Sequence, residues 1–162
     1  MSRRIRDALV TWLNSRFQLD NQIERDVWVN RELMRLPVGS TLLDAGCGSQ
    51  RYRPTCSHLQ YTSQDFGQYT VDERGRLGSL SAADATPYPY GEIDVVSDIW
   101  SIPLPDATFD AVLCTEVLEH VPYPIQAVEE LSRLLRPGGR LILTVPSNAL
   151  RHQDPYFFTE AS

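Results

Sequence analysis

Three aspartates and two glycines carry the chemistry that this sequence can do. Asp44 ends the apolar run of "TLLDAGCGSQRY", and Gly46 and Gly48 follow it at once. Glycine there permits unusual φ values and removes Cβ atoms from the path of a ligand. Asp65 closes the run "YTSQDF", 21 positions past Asp44. An acid at that place can accept both ribose hydroxyls of an adenosine-type ligand. Asp98 closes "DVVSDI" and precedes Trp100, so it could accept a proton from an adenine amino group while Ile99 and Trp100 cover the ring. Taken singly, each aspartate reads equally well as a helix cap or turn residue, and a lone GxG as a plain tight turn. Together they describe a nucleoside pocket.

The ligand need not be a dinucleotide. That fingerprint asks for a third small residue where pyrophosphate meets a helix N-terminus, and here the position is Arg51. No Walker lysine motif is present. A nicotinamide-dependent oxidoreductase is therefore disfavoured.

The elements that must position these residues are legible in the patterning. Residues 3–18 and 22–36 read as amphipathic helices, the second with Ile23, Val27, Met34 and Leu36 on one face. Five short apolar runs follow, at 41–46, 61–66, 94–99, 109–115 and 140–145. The last two lack alternation, as strands buried on both faces should. Residues 124–136 read as a helix with Pro124 at its start, a stripe of Ile125, Val128, Leu131 and Leu135, and Pro137-Gly138-Gly139 as its stop. Alternating strands and helices predict an α/β fold: an open, mainly parallel sheet with helices on both faces. Residues 67–92 show no period and read as a long loop with at most a short helix.

Composition bounds the rest. The chain has 162 residues, 42% of them hydrophobic, enough for one ordinary domain core. Three scattered cysteines and no ligand spacing argue against structural zinc and for a reducing compartment. The formal charge of −6 disfavours a nucleic-acid partner, and no apolar run is long enough to span a membrane. The expected location is cytoplasmic.

On these motifs the chain resembles the class I S-adenosylmethionine-dependent methyltransferases, in the group that includes ubiquinone and menaquinone biosynthesis enzymes. "LLDAGCGS" is similar to the first motif of that family. "DIWSIPLPDATFDAVLCTEVLEHVPYP" is similar to its adenine-binding acid and fourth-strand region, and "LSRLLRPGGRLILTVP" to its approach to strand five. The resemblance implies a Rossmann-like, doubly wound sheet in strand order 3-2-1-4-5 without the C-terminal antiparallel strands, with S-adenosylmethionine as methyl donor, a small-molecule acceptor and S-adenosylhomocysteine as product. It implies that Asp44 supports the turn, that Gly46 and Gly48 contact the methionine part, that Asp65 holds ribose, and that Asp98 with Ile99 holds adenine. Cys114 would lie beside the methionine end through its backbone. Many family members have glycine where this chain has Gln50.

Glu116 and His120, in "CTEVLEHV", are the candidate catalytic residues, sharing a face if that segment is helical. The other reading makes Glu116 a turn residue and His120 a packing residue. His152 is a further acceptor-side candidate. The expected organisation is 1–38 as N-terminal helices forming a cap or lid and 39–162 as the cofactor-binding core. The family normally continues beyond strand five, so the resemblance implies a chain cut short at its C-terminus and a homodimer through the exposed fifth strand. A non-catalytic binding module with the same fold is the alternative reading.

Overall fold

In the computed structural model of this chain, residues 21–68, 70, 71, 77, 78, 86, 87 and 90–146 are described. The expected helix over 3–18, His152 and the rest of the C-terminal stretch lie outside them. The chain divides into two compact units, 1–35 and 36–162.

In the first unit, helix α1 spans Asn21–Met34. It stops two residues short of the expected end, closing on a bond from the Arg35 N–H to the Glu32 carbonyl. Leu36 precedes Pro37, which disfavours helical backbone at the residue before it. The buried face is also not the expected one. Val29 and Leu33 are fully buried, at i and i+4, whereas Ile23, Val27 and Met34 are exposed.

The second unit is built on a five-stranded parallel sheet: β1 (Thr41–Ala45), β2 (Gln60–Asp65), β6 (Val95–Val96), β7 (Phe109–Thr115) and β8 (Leu135–Thr144). Their order is β6-β2-β1-β7-β8, the expected 3-2-1-4-5 arrangement. The registers Asp44↔Ser63 and Asp44↔Leu113 seat β1 at the centre. Leu43, Ala45, Val112 and Cys114 share one core with Leu131 and Leu134, while Leu42, Ala111 and Leu113 are buried as well. Burial of successive residues, which point to opposite faces, is why these runs carry no alternation. Among the described residues β8 pairs only with β7.

Four local features depart from the sequence expectation. The connection from β1 to β2 holds one 3₁₀ turn, Arg53–Cys56, in place of a helix. The third strand is only Val95–Val96, because Asp94 gives its carboxylate to the Ser63 N–H (2.8 Å) and hydroxyl (2.7 Å). A side chain there does the ladder's work. Within 67–92 three two-residue strands, β3 (Thr70–Val71), β4 (Leu77–Gly78) and β5 (Thr86–Pro87), form an antiparallel sheet. Pairings that short leave no periodic pattern to read.

The fourth departure is at helix α2, Pro124–Leu134. It buries Ala127, Leu131 and Leu134, and Ile125 is exposed, so the stripe is rotated from the expected one. Leu135 is already extended and pairs with Phe109, while Arg140 pairs with Ala111. Pro137-Gly138-Gly139 is thus a bulge inside β8, with Gly138 at φ +80°, and not a stop before it. The Arg133 guanidinium of α2 donates to the carbonyls of Ile102 (3.1 Å) and Leu104 (2.9 Å) and pairs with Glu130 (2.8 Å). Glu130 in turn accepts the Ile102 N–H at 2.6 Å. This knot ties the "IPLPD" segment to the helix and so fixes the entry to β7.

Candidate functional site

Strand β1 leaves the sheet at Ala45, and the chain reverses through Gly46 (φ +70°) and Gly48 (φ +48°). The N–H groups of Gly46 and Cys47 both donate to the Gln64 carbonyl, at 2.9 and 3.0 Å. The Gly48 N–H donates to Asp65 Oδ2 at 2.9 Å, and the other oxygen, Oδ1, accepts the Gly67 N–H at 3.0 Å. The carboxylate expected to face a ribose therefore also anchors the glycine turn. Each carboxylate oxygen has two lone-pair sites, so both keep acceptor capacity for a diol.

Gly46 owes its identity to the protein as well as to any ligand. A Cβ there would come within 2.5 Å of the Val117 side chain. Combined with the left-handed φ, this makes Gly46→Ala an expected loss of about 2–4 kcal/mol of stability. Val117→Ala in the same chain should return the steric part only. Urea unfolding of the two variants checks it; unchanged stability of Gly46→Ala would show that the turn is free to shift.

Asp44 is buried and accepts the Tyr61 hydroxyl. Burial pushes its carboxyl up to about 7; the Tyr61 bond pulls the other way, and the nearby Asp65 adds a small push upward. The same burial pushes the Tyr61 hydroxyl up, so it stays a donor. Asp98 lies two residues beyond β6, exposed, in a turn closed by the Ser101 N–H on its carbonyl (3.1 Å). Ile99 beside it is buried in the core, and Trp100 meets Tyr123 edge-on at 5.4 Å. Cys114 is fully buried, and burial pushes its thiol far up, as it does that of Cys47. Neither is a nucleophile in this state.

After β7 the segment is not a helix through Glu116. That residue sits at φ +54°, its N–H bonds the Thr144 carbonyl at 3.0 Å, and its Oε1 accepts the Thr144 hydroxyl at 2.9 Å. A single 3₁₀ turn, Leu118–His120, follows. The His120 Nε2 stands 3.6 Å from the buried Glu119 carboxylate.

Residues that patterning did not single out complete the frame. Gln64, almost fully buried, accepts the Gly46 N–H on Oε1 (3.2 Å) and donates from Nε2 to the Ser97 carbonyl (2.7 Å). It links the glycine turn to the residue before Asp98. The only signal for it was a polar residue in a strand position facing the interior. Gln50, where many members of the family it resembles have glycine, takes the left-handed conformation, φ +56°. The carboxyl edge of β2, β1 and β7 thus gathers Asp44, Asp65, both glycines and the turn at Glu116, with Asp98 after β6 on the same side of the parallel sheet. Among the described residues there is no group of three or more metal-ligating side chains, and no helix long and apolar enough to cross a membrane.

Comparison with known proteins gives the family and the fold. A family model described as a methyltransferase domain matches residues 43–143. A ubiquinone biosynthesis O-methyltransferase of Xanthomonas axonopodis pv. citri (strain 306) is 34% identical over 110 residues, covering 67% of this chain and 44% of that protein. The 27-O-demethylrifamycin SV methyltransferase of Amycolatopsis mediterranei (strain S699) is 31% identical over 125 residues, covering 72% and 44%. The chain thus spans less than half the length of these curated relatives. A solved SAM-dependent methyltransferase from Aquifex aeolicus shares the fold, with a TM-score of 0.54 at 20% identity, covering 89% of this chain and 79% of that one.

Proposed function

Because the chain belongs to the class I S-adenosylmethionine-dependent methyltransferase family, we propose that its carboxyl-edge site binds S-adenosylmethionine and serves methyl transfer to a small-molecule acceptor. The observation that carries this reading is the Asp65 carboxylate, buried and anchored to the Gly48 and Gly67 N–H groups. A buried anion held by backbone N–H groups with acceptor capacity left over suits a vicinal diol. Asp98, exposed just past β6, takes the adenine amino group, and Ile99 lies behind it. Gly46 and Gly48 leave room for the methionine part, with the Cys114 backbone beneath.

When bound, S-adenosylmethionine supplies a methyl carbon on a sulfonium, displaced in line by the lone pair of the acceptor. The chain's part is to hold the acceptor collinear with that carbon and to exclude water, and proximity of this kind is worth up to roughly 7–11 kcal/mol. His120 takes the proton of an acceptor that must lose one, with Glu119 placed to hold the imidazolium. Glu116, bonded to Thr144, shapes the turn that presents His120. By their names the two relatives methylate in ubiquinone biosynthesis and on 27-O-demethylrifamycin SV, which supports a small organic acceptor over a nucleic acid, in keeping with the net charge of −6.

Calorimetric titration of the chain with S-adenosylhomocysteine tests the reading. Micromolar affinity, weakened by Asp98→Ala and matched by no binding of a nicotinamide dinucleotide, is the expected result. No binding to the folded chain would defeat it. Binding without methyl transfer to any phenolic or quinol acceptor would favour the non-catalytic module.

A further inference from the structure

Gln50 holds a backbone conformation that costs an L-residue about 1–2 kcal/mol and that glycine adopts freely. Something must repay that cost, and its side chain shows what. The residue is buried, 6% exposed. Its Nε2 donates to the Glu92 carbonyl at 2.6 Å, and its Oε1 accepts from Arg53 Nη1, also at 2.6 Å. Gly91 leaves the space the amide occupies: a Cβ there would lie 2.8 Å from Gln50 Nε2. Gly91 itself is not in the left-handed region, so its lack of a side chain serves this contact and not its own backbone.

The contact has consequences at both ends. Glu92 is two residues before Asp94, whose carboxylate holds Ser63 and stands in for the missing length of β6. The Ser63 hydroxyl also reaches the Glu92 carbonyl, at 3.3 Å. With only two residues of β6 on the ladder, the position of Asp98 depends on how firmly the chain entering that strand is held. At the other end, Arg53 lies over the Tyr61 ring, 5.3 Å from its centroid, and Tyr61 holds Asp44.

We propose that Gln50 is a positioning residue for the adenosyl pocket: its amide locks the Gly91–Asp94 segment to the glycine turn and so fixes the distance between that turn and Asp98. This rests on the cofactor reading above. Gln50→Gly relieves the backbone and deletes the lock, so it separates the two roles. The variant is expected to be at least as thermostable as the parent, to bind S-adenosylhomocysteine about tenfold more weakly, and to exchange its Asp94 amide faster. Gly91→Ala, which pushes the amide away without altering Gln50, is expected to weaken binding likewise. The double variant should be no worse than the weaker single one, because both break one lock.

Unchanged affinity in Gln50→Gly would overturn the proposal and leave Gln50 as a turn residue. If the parent chain itself fails to bind S-adenosylhomocysteine, the cofactor reading falls separately, and hydrogen exchange decides the lock. Faster exchange at Asp94 in Gln50→Gly then supports it, and unchanged exchange overturns it.

Discussion

Asp65→Ala is expected to weaken S-adenosylhomocysteine binding by at least about a hundredfold, the largest binding effect of any single substitution at this site. Two losses add. The ribose hydroxyls lose a charged acceptor, and hydrogen bonds to charged groups contribute about 1.5–3 kcal/mol each. The Gly48 and Gly67 N–H groups also lose the oxygens they donate to, at 2.9 and 3.0 Å, so the turn that carries the methionine end loosens with them. Asp65→Asn separates the two: it keeps one acceptor for the backbone and gives up the charge, and should fall between parent and alanine variant. Calorimetry on the three chains measures this. Equal affinities would mean that the ribose is held elsewhere.

The second large effect concerns stability and pH. Asp44 is buried at the centre of the sheet, and its folded pKa of about 7 lies above its ordinary 3.8. The folded state therefore holds the proton more tightly than the unfolded one. The stability this contributes is fully present below pH ~4 and is lost as pH rises through ~7. At about 1.4 kcal/mol per unit, the loss is on the order of a few kcal/mol. Asp44→Asn keeps the shape and can accept the Tyr61 hydroxyl on its carbonyl oxygen, but it cannot ionise. It is expected to flatten the profile and to exceed the parent in stability above pH ~8. Urea unfolding across that range decides it; parallel profiles for parent and variant would show that Asp44 is solvated or otherwise compensated.

Much of this architecture is legible in the sequence. Asp44, Gly46, Gly48, Asp65 and Asp98 stand out because each closes or follows an apolar run, and parallel strands put such ends on one edge. The parallel sheet follows from alternation and crossover length, and its strand order from the family resemblance. Less was legible where a side chain replaces backbone. Asp94 shortens β6 by bonding Ser63, and nothing in "EIDVVSDI" distinguishes that aspartate from a strand residue. The stripe of α2 was read through Ile125 and Leu135, because both are apolar; only packing shows that Ala127 and Leu134 face inward.

Glu116 and His120 show the same division. Their spacing suggested one helical face, and the positive φ at Glu116, fixed by two bonds to Thr144 on a strand 28 residues away, breaks that helix. Sequence by itself determined the edge, because strand ends and acids are local signals that survive in one dimension. Tertiary structure alone decided how the edge is held: Tyr61 on Asp44, Gln64 between Gly46 and Ser97, and Gln50 against Gly91. Those pairings join residues 17 to 41 positions apart. Their worth comes from burial, which no residue type announces.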